Sequence, residues 1–128
     1  MGMAAAKKGD QITATDNHLI KPPGVPPPVL TPHPFAGSID GSLSSDVNIM
    51  GVAAATKDST ATNSPSHLPQ GGTFVKPPSN KGTIMNGSAT VFINGKAAAR
   101  SGDTAKTCND PADLPAGTVV ATGTVMIG

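Results

Sequence analysis

One short pattern occurs three times in the 128-residue chain, and this repeat constrains the fold more than any other sequence feature. Each copy contains a Val-x-Ile triplet, a glycine and then three consecutive alanines. The triplets are Val47-Asn48-Ile49, Val91-Phe92-Ile93 and Val125-Met126-Ile127, and the alanines are Ala53–Ala55, Ala97–Ala99 and, near the other end of the chain, Ala4–Ala6. A pattern that recurs in this way is typical of a structure built from equivalent units.

The third copy is divided between the two ends of the chain. Its Val-x-Ile triplet lies at residues 125–127, whereas its glycine, Gly2, opens the chain. Matching Gly2 to Gly95 and Ile127 to Ile93 places the cut between a strand and its turn. The repeat is therefore circularly permuted, and a closed three-unit structure would bring the two termini together.

The local composition favours strands over helices. The Val-x-Ile triplets alternate β-branched residues, as short strands do, and 15 Gly with 13 Pro argue against long helices. Three alanines between two turns are too few for a helix, so we predict closely packed strands around a crowded axis. The predicted fold is all-β: a small conical, β-helix-like or β-prism-like domain of three pseudo-equivalent units.

Two further segments carry structural predictions. Asp10, Asp58 and Asp103 follow the three alanine triplets, and we predict that their carboxylates accept backbone hydrogen bonds in equivalent turns. The proline-rich segment 21–34 belongs to the first unit alone. Its prolines predict an extended, semi-rigid strap.

The chain contains few residues that bind soft metals: three histidines and one cysteine. His18, His67 and Cys108 each follow one of the three predicted turns, and His33 lies in the proline-rich segment. A single cysteine cannot form an internal disulfide, so Cys108 is a free thiol, a packing residue or a ligand. Four nitrogen and sulfur ligands are the number that a closed tetrahedral zinc site takes. The sequence therefore predicts one structural zinc ion held by His18, His33, His67 and Cys108 at the narrow end.

Charge and composition argue against two classes of partner. Nine basic residues stand against eight acidic ones, and aromatic residues make up only 2% of the chain, so neither phosphate contacts nor base stacking is favoured. No apolar run approaches the roughly 18 residues that a membrane span needs. We expect no nucleic-acid binding, no stable membrane anchoring, no signal peptide and synthesis in the cytoplasm.

The best copy of the repeat, residues 82–103, resembles the PAAR-repeat family. The Pro-Ala-Ala-Arg motif that names this family has Lys96-Ala97-Ala98-Ala99-Arg100 in its place here. The resemblance implies a structural tip protein without enzymatic activity that caps a trimeric VgrG-like spike, one copy per trimer. Such spikes belong to type VI secretion systems and related contractile injection machines. It also implies zinc near the point, and the matching residues here are His18, His67, Cys108 and His33.

On this interpretation residues 1–128 form a single PAAR-like domain without an effector extension, and separate effector proteins are possible partners. The protein would stay in the cytoplasm until loaded and then be delivered to the target cell. The predicted docking face is formed by the ends of the repeated strands. It comprises Val47, Ile49, Val91, Phe92, Ile93, Val125, Met126 and Ile127.

Three other functions account for parts of the sequence. A spike tip of another, phage-tail-type particle would share the fold. A small zinc enzyme would use Asp16 or Asp110 as a base, but the chain lacks the HExxH and HxE patterns of such enzymes. A disordered linker would explain the glycine and proline content but not the repeat.

Overall fold

The computed structural model describes residues 2–69 and 71–128, and these residues form strands, turns and loops. In chain order the strands are β1 (Met3–Ala4), β2 (Gln11–Lys21), β3 (Val29–Gly41), β4 (Asn48–Ile49), β5 (Val52–Ala53), β6 (Thr60–Asn63), β7 (Thr73–Phe74), β8 (Lys81–Ile84), β9 (Phe92–Ile93), β10 (Lys96–Ala97), β11 (Thr104–Thr107), β12 (Leu114–Val120) and β13 (Met126–Ile127). The predicted all-β fold is confirmed. Nowhere in these two ranges is there a helix long and apolar enough to cross a membrane.

Six of the strands close into an antiparallel barrel. Their order is β2, β3, β6, β8, β11 and β12, and β12 pairs back with β2, where Thr118 lies opposite Thr13. The short strand β7 extends the sheet beside the far end of β2, where Phe74 lies opposite Ile20. Closure leaves no open sheet edge along the paired part of the six strands.

The barrel has the predicted threefold organisation. The N–H groups of Ile39, Ile84 and Val119 donate to the carbonyl oxygens of Asp10, Ser59 and Asp103 at 2.8, 2.9 and 2.8 Å. Each bond joins a strand to the turn that follows an alanine triplet, so β3, β8 and β12 occupy equivalent positions in the three units. By the same correspondence β2 matches β6 and β11. Each repeat therefore contributes two strands to the barrel wall.

Three pairs of two-residue antiparallel strands lie at one end of the barrel. They are β4–β5, β9–β10 and β13–β1. We call all three hairpins, although the last one is formed by the two ends of the chain, with Ile127 opposite Met3. In the turn Asn94-Gly95 both residues have positive φ, 52° and 79°, as the type I′ turns that suit tight hairpins require. The pairing of β13 with β1 confirms the circular permutation.

The alanine triplets surround the axis of the hairpin end. Ala6, Ala55 and Ala99 are completely buried. The N–H of Ala6 donates to the carbonyl of Ala99, that of Ala99 to Ala55 and that of Ala55 to Ala6, at 2.9, 3.1 and 3.0 Å. The three backbones, just beyond the ends of β1, β5 and β10, thus form a cyclic hydrogen-bonded ring, the alanine ring. A small side chain is required there because the three backbones converge.

The apolar core fills the barrel above the alanine ring. Ile12, Ile39 and Ile84 are fully buried there, together with Phe35. Gly82 makes room for the Phe35 ring, because a Cβ at Gly82 would lie 3.3 Å from it. Phe35 therefore separates the aliphatic core from the polar residues farther along the barrel.

The turn prediction is correct at two positions and wrong at the third. The carboxylates of Asp10 and Asp103 accept the N–H of Lys7 and Arg100 at 3.0 and 2.7 Å. In the middle unit the hydroxyl of Ser59 accepts the equivalent N–H, that of Thr56, at 3.0 Å. Asp58 instead holds the turn position with positive φ, 77°, and its side chain is exposed, so the sequence alignment of this unit was displaced by one residue.

The proline-rich segment differs in part from the predicted strap. Its second half belongs to β3, where Asp16 pairs with His33 and Thr15 with Pro34. Pro32 and Pro34 are exposed and alternate with buried residues. Strand is compatible with proline here because β6 pairs only with the later part of β3, from Gly37 onward, so the missing N–H groups disrupt no ladder on that side.

Candidate metal centre

Residues from three different parts of the barrel meet at the end away from the hairpins. β2 points Asp16 and His18 inward, because both belong to its buried, alternating face. His67 lies in the loop after β6, and Cys108 directly follows β11. His18 is seven residues beyond Gln11 at the hairpin end of β2, which is about 23 Å along a strand.

The side chains of these four residues form a compact group. One ligand atom each from Asp16, His18, His67 and Cys108 lies within 4.8 Å of the other three, and all four residues are buried. The sequence predicted three of them. It missed Asp16, although the period of two that places His18 inside β2 also places Asp16 inside, two residues earlier.

His18 is the most unusual member of the group. It is only 1% exposed, and among the described residues neither ring nitrogen has a hydrogen-bond partner. The nearest carboxylate to its Nδ1 is that of Asp110, at 3.6 Å. Because buried polar atoms are nearly always paired, an orphaned imidazole beside other ligand atoms is typical of a metal ligand.

Asp16 and His67 contact each other and also form hydrogen bonds to neighbouring side chains of the barrel. Oδ2 of Asp16 lies 2.8 Å from Nε2 of His67 and 3.4 Å from the sulfur of Cys108. Its Oδ1 accepts the hydroxyl hydrogen of Thr107 at 2.5 Å. The Nδ1 atom of His67 lies 3.2 Å from the side-chain amide nitrogen of Asn63. These contacts fix the carboxylate and the imidazole in place.

His33 packs against the group but points its nitrogens elsewhere. Its ring centroid lies 5.5 Å from that of His18 and 5.3 Å from that of His67. Nδ1 faces the carbonyl oxygen of Thr31 at 2.9 Å, and Nε2 faces that of Leu68 at 3.1 Å. Ligation by His33 stays a prediction.

Burial changes the protonation of two members of the group. Desolvation lowers the pKa of His18 below 6.5, so its imidazole is neutral near pH 7. Desolvation, reinforced by the charge of Asp16, raises the pKa of the Cys108 thiol to about 11. Since a metal ligates thiolate and neutral imidazole, His18 is ready to bind an ion, and ion binding must displace the proton of Cys108.

We expect the metal-free protein to be most stable between about pH 6.5 and 9. Below pH 6.5, where an unperturbed histidine titrates, the unfolded chain takes up a proton that the buried His18 resists, so stability falls as the pH falls. Above pH 9.0, where an unperturbed cysteine titrates, the unfolded thiol ionises before the folded one, so stability falls again up to about pH 11. Urea unfolding of chelator-treated protein across this pH range measures both limbs.

Two variants identify the groups responsible for this pH profile. His18→Gln removes the acidic titration of residue 18, and Cys108→Ser removes the alkaline titration of residue 108. Each variant should flatten one limb and leave the other unchanged. Two limbs that persist in both variants would contradict the assignment.

The donor set fits a structural metal ion. Two imidazoles, one thiol and one carboxylate are buried together, with an orphaned histidine among them, and mixed nitrogen and sulfur ligation suits zinc. The residues come from three units of the barrel, so an ion bound there would link those units. Fold and site together define a small threefold β-barrel with a buried group able to hold a metal at one end.

Comparison of the sequence with models of known protein families gives one match. Residues 75–128 match the family model of the PAAR motif, which confirms the resemblance carried by residues 82–103. The PAAR motif is associated with spike-tip proteins of contractile secretion systems, a structural and not an enzymatic family. No curated protein matches the chain.

The residues of the predicted docking face separate into two sets at the hairpin end. Ile49 and Ile93 are buried, and with the half-buried Val91 and Ile127 they pack on Ala5, Ala54 and Ala98 in a small cluster below the alanine ring. The exposed residues of the predicted set are Val47, Phe92, Val125 and Met126. Met3 and Met50, which the sequence did not single out, are 48% and 54% exposed at the same end.

Proposed function

We propose that this chain caps the end of a trimeric VgrG-like spike of a contractile injection machine, one copy per trimer. The observation that carries the proposal is the ring of three equivalent hairpins at one end of the barrel. A single chain with threefold pseudo-symmetry can offer a similar surface to each chain of a trimer. The candidate metal centre would then face away from the spike.

The surface of the hairpin end supports docking. Phe92 is 60% exposed and Met126 57% exposed, and both stand at the same position of their hairpins, the first residue of β9 and of β13. Large apolar side chains exposed together mark interaction sites more often than free surface. The third hairpin has the polar Asn48 at this position, so the apolar contact would be strongest along two of the three sides.

A metal ion at the opposite end would stiffen the tip. His18, His67 and Cys108, with a fourth ligand, would hold it, and when bound the ion supplies cross-links between loops and strands that are far apart in sequence. Binding free energy at such a site adds to folding free energy. The chain would be made in the cytoplasm, loaded on the spike and carried outward with it.

We expect the double variant Phe92→Asp, Met126→Asp to lose binding to the spike. Two buried, unpaired carboxylates at the interface would weaken association by at least about 100-fold, because each costs several kcal/mol of desolvation. Size-exclusion chromatography with light scattering of the protein mixed with a purified trimeric VgrG-like spike measures the complex and its stoichiometry.

A matched control is available at the opposite end. Val25 and Leu30 are 99% and 52% exposed, and Val25→Asp, Leu30→Asp introduces the same charges there. This control should bind the spike like the original protein. Spike binding by the Phe92, Met126 variant, or three chains bound per trimer, would overturn the proposal. Binding only to the spike of a phage-tail-type particle would support the alternative host particle.

A further inference from the structure

We propose that the outer edge of β3 is suited to strand addition by a second copy of this chain, and that Pro32 and Pro34 prevent this pairing. The outer edge comprises residues 30–34, on the side of β3 that faces away from β2. The inference goes beyond the proposed function, because it concerns self-association and does not depend on spike docking.

The direction of the backbone groups along β3 is the first observation. Both groups of Ala36 face away from β2, because its N–H donates to the side-chain oxygen of Asn63 at 2.9 Å and its carbonyl accepts the N–H of Ser64 at 3.3 Å. Backbone groups alternate along a strand, and β2 pairs with β3 without a register shift. The backbone groups of residues 30, 32 and 34 therefore also point away from β2, toward the outer edge.

The residues at these positions are the second observation. Proline occupies positions 32 and 34, so only Leu30 keeps an N–H group at the outer edge. Within residues 2–69 and 71–128, β6 pairs with β3 only from Gly37 onward. Pro32 and Pro34 are exposed, and together with the loop at residues 64–68 they line a groove of about 330 Å³. The outer edge can therefore be reached from outside the barrel.

The opposite edge of the β2–β3 pair is covered in a different way. The N–H of Asn17 donates to the side-chain oxygen of Asn109 at 2.7 Å, and that of Leu19 donates to the carboxylate of Asp110 at 2.8 Å. Side chains thus take the place of a neighbouring strand on β2. On β3 no such acceptor is needed at residues 32 and 34, because proline has no N–H to satisfy.

Charged side chains do not protect the outer edge. Residues 22–39 contain no Lys, Arg, Asp or Glu, although charges on an edge strand commonly block strand addition. Val29 and Leu30 are 54% and 52% exposed, and both are residue types that favour a strand or an apolar neighbour. The two missing N–H groups therefore distinguish this edge from one that would pair.

The number of hydrogen bonds gives the size of the effect. In a twofold antiparallel pairing centred on residue 32, that residue lies opposite its own copy, and residue 30 lies opposite residue 34 of the other copy. Such a pairing has about six hydrogen bonds, and the prolines remove about four of them. Because each bond strengthens association about fivefold, restoring all four should strengthen it by roughly 500-fold.

The double variant Pro32→Thr, Pro34→Thr tests the inference on the full chain. Threonine restores both N–H groups and favours strands. We expect the original protein to stay monomeric and the double variant to form dimers. Each single variant restores about two of the bonds and should dimerise about 25-fold more weakly than the double variant. Analytical ultracentrifugation over a concentration series measures these constants.

Hydrogen exchange distinguishes strand pairing from unspecific association. The restored amides of residues 32 and 34 should exchange slowly at high protein concentration and rapidly at low concentration. The matched control is Ala36→Thr, Ser38→Thr, which places two threonines on the same outward face of β3. There the N–H of Ala36 is already bonded to Asn63, and Ser38 already pairs with Thr62. This control should stay monomeric.

A double variant that melts like the original protein and remains monomeric would overturn the proposal. Dimers without protected amides at residues 30–34, equal association of the control, or an original protein that already pairs through the outer edge would also overturn it. If the double variant does not fold, the single variants carry the same test at the smaller magnitude. Spike binding enters none of these measurements, so this inference and the proposed function fail separately.

Discussion

Cys108→Ser should abolish stoichiometric zinc binding and lower the melting temperature of the purified protein by roughly 15 °C. The size of this shift follows from a ligand present at about 1,000 times its Kd, which stabilises the folded state by about 4 kcal/mol, at about 4 °C per kcal/mol for a domain of this size. Cys108 is 3% exposed and contributes the only thiol of the group. Elemental analysis and a thermal melt measure the two effects.

Chelation of the original protein is the control for this substitution. If the effect comes from the metal, the chelator-treated protein and Cys108→Ser should melt within a few degrees of each other, because serine keeps the number of side-chain non-hydrogen atoms of cysteine. A large difference that remains after chelation would attribute the loss to packing around residue 108. A well-folded protein without stoichiometric metal would contradict the metal centre itself.

Ala55→Leu should destabilise the protein by about 3 kcal/mol or prevent folding, as overpacking of a crowded core does. Ala55 is 0% exposed and belongs to the alanine ring, where three backbone segments are held together by hydrogen bonds of 2.9 to 3.1 Å. A leucine side chain cannot enter without separating these segments. Urea denaturation measures the loss, which corresponds to about 12 °C in melting temperature.

The matched control for this substitution is Ala116→Leu. Ala116 is exposed on β12, so the same change in volume is accommodated in solvent, and surface substitutions usually alter stability by less than about 0.5 kcal/mol. Tolerance of leucine at Ala55 would mean that the axis is not closely packed.

Much of the fold was predictable because the three copies of the repeat can be aligned in the sequence. The match of Gly2 to Gly95 and of Ile127 to Ile93 predicted that the termini share a hairpin, and Ile127 does pair with Met3. The alignment failed at Asp58, where the aspartate that follows the alanine triplet is not the residue that binds the backbone. Ser59 can make the same hydrogen bond, and composition alone does not reveal that equivalence.

The candidate site was predictable only in part. His18, His67 and Cys108 could be found because few residues of the chain bind soft metals and each follows a repeated turn. The period of two in β2 could have placed Asp16 on the inner face with His18, but the contacts of its two oxygens with His67, Cys108 and Thr107 depend on residues far away in the sequence. The same is true of the burial of Ile49 and Ile93, which pack in the small apolar cluster at the hairpin end.

The sequence by itself determined the all-β class, the three units and the permutation, since these follow from the spacing of residues along the chain. Only the tertiary structure decided which carboxylate meets His67, where the nitrogens of His33 point and which apolar residues remain exposed at the hairpin end. The physical reason is that closure of the barrel brings together residues 51 to 93 positions apart, such as Asp16 with His67 and with Asn109. Local patterns do not specify the direction of the side chains in such contacts.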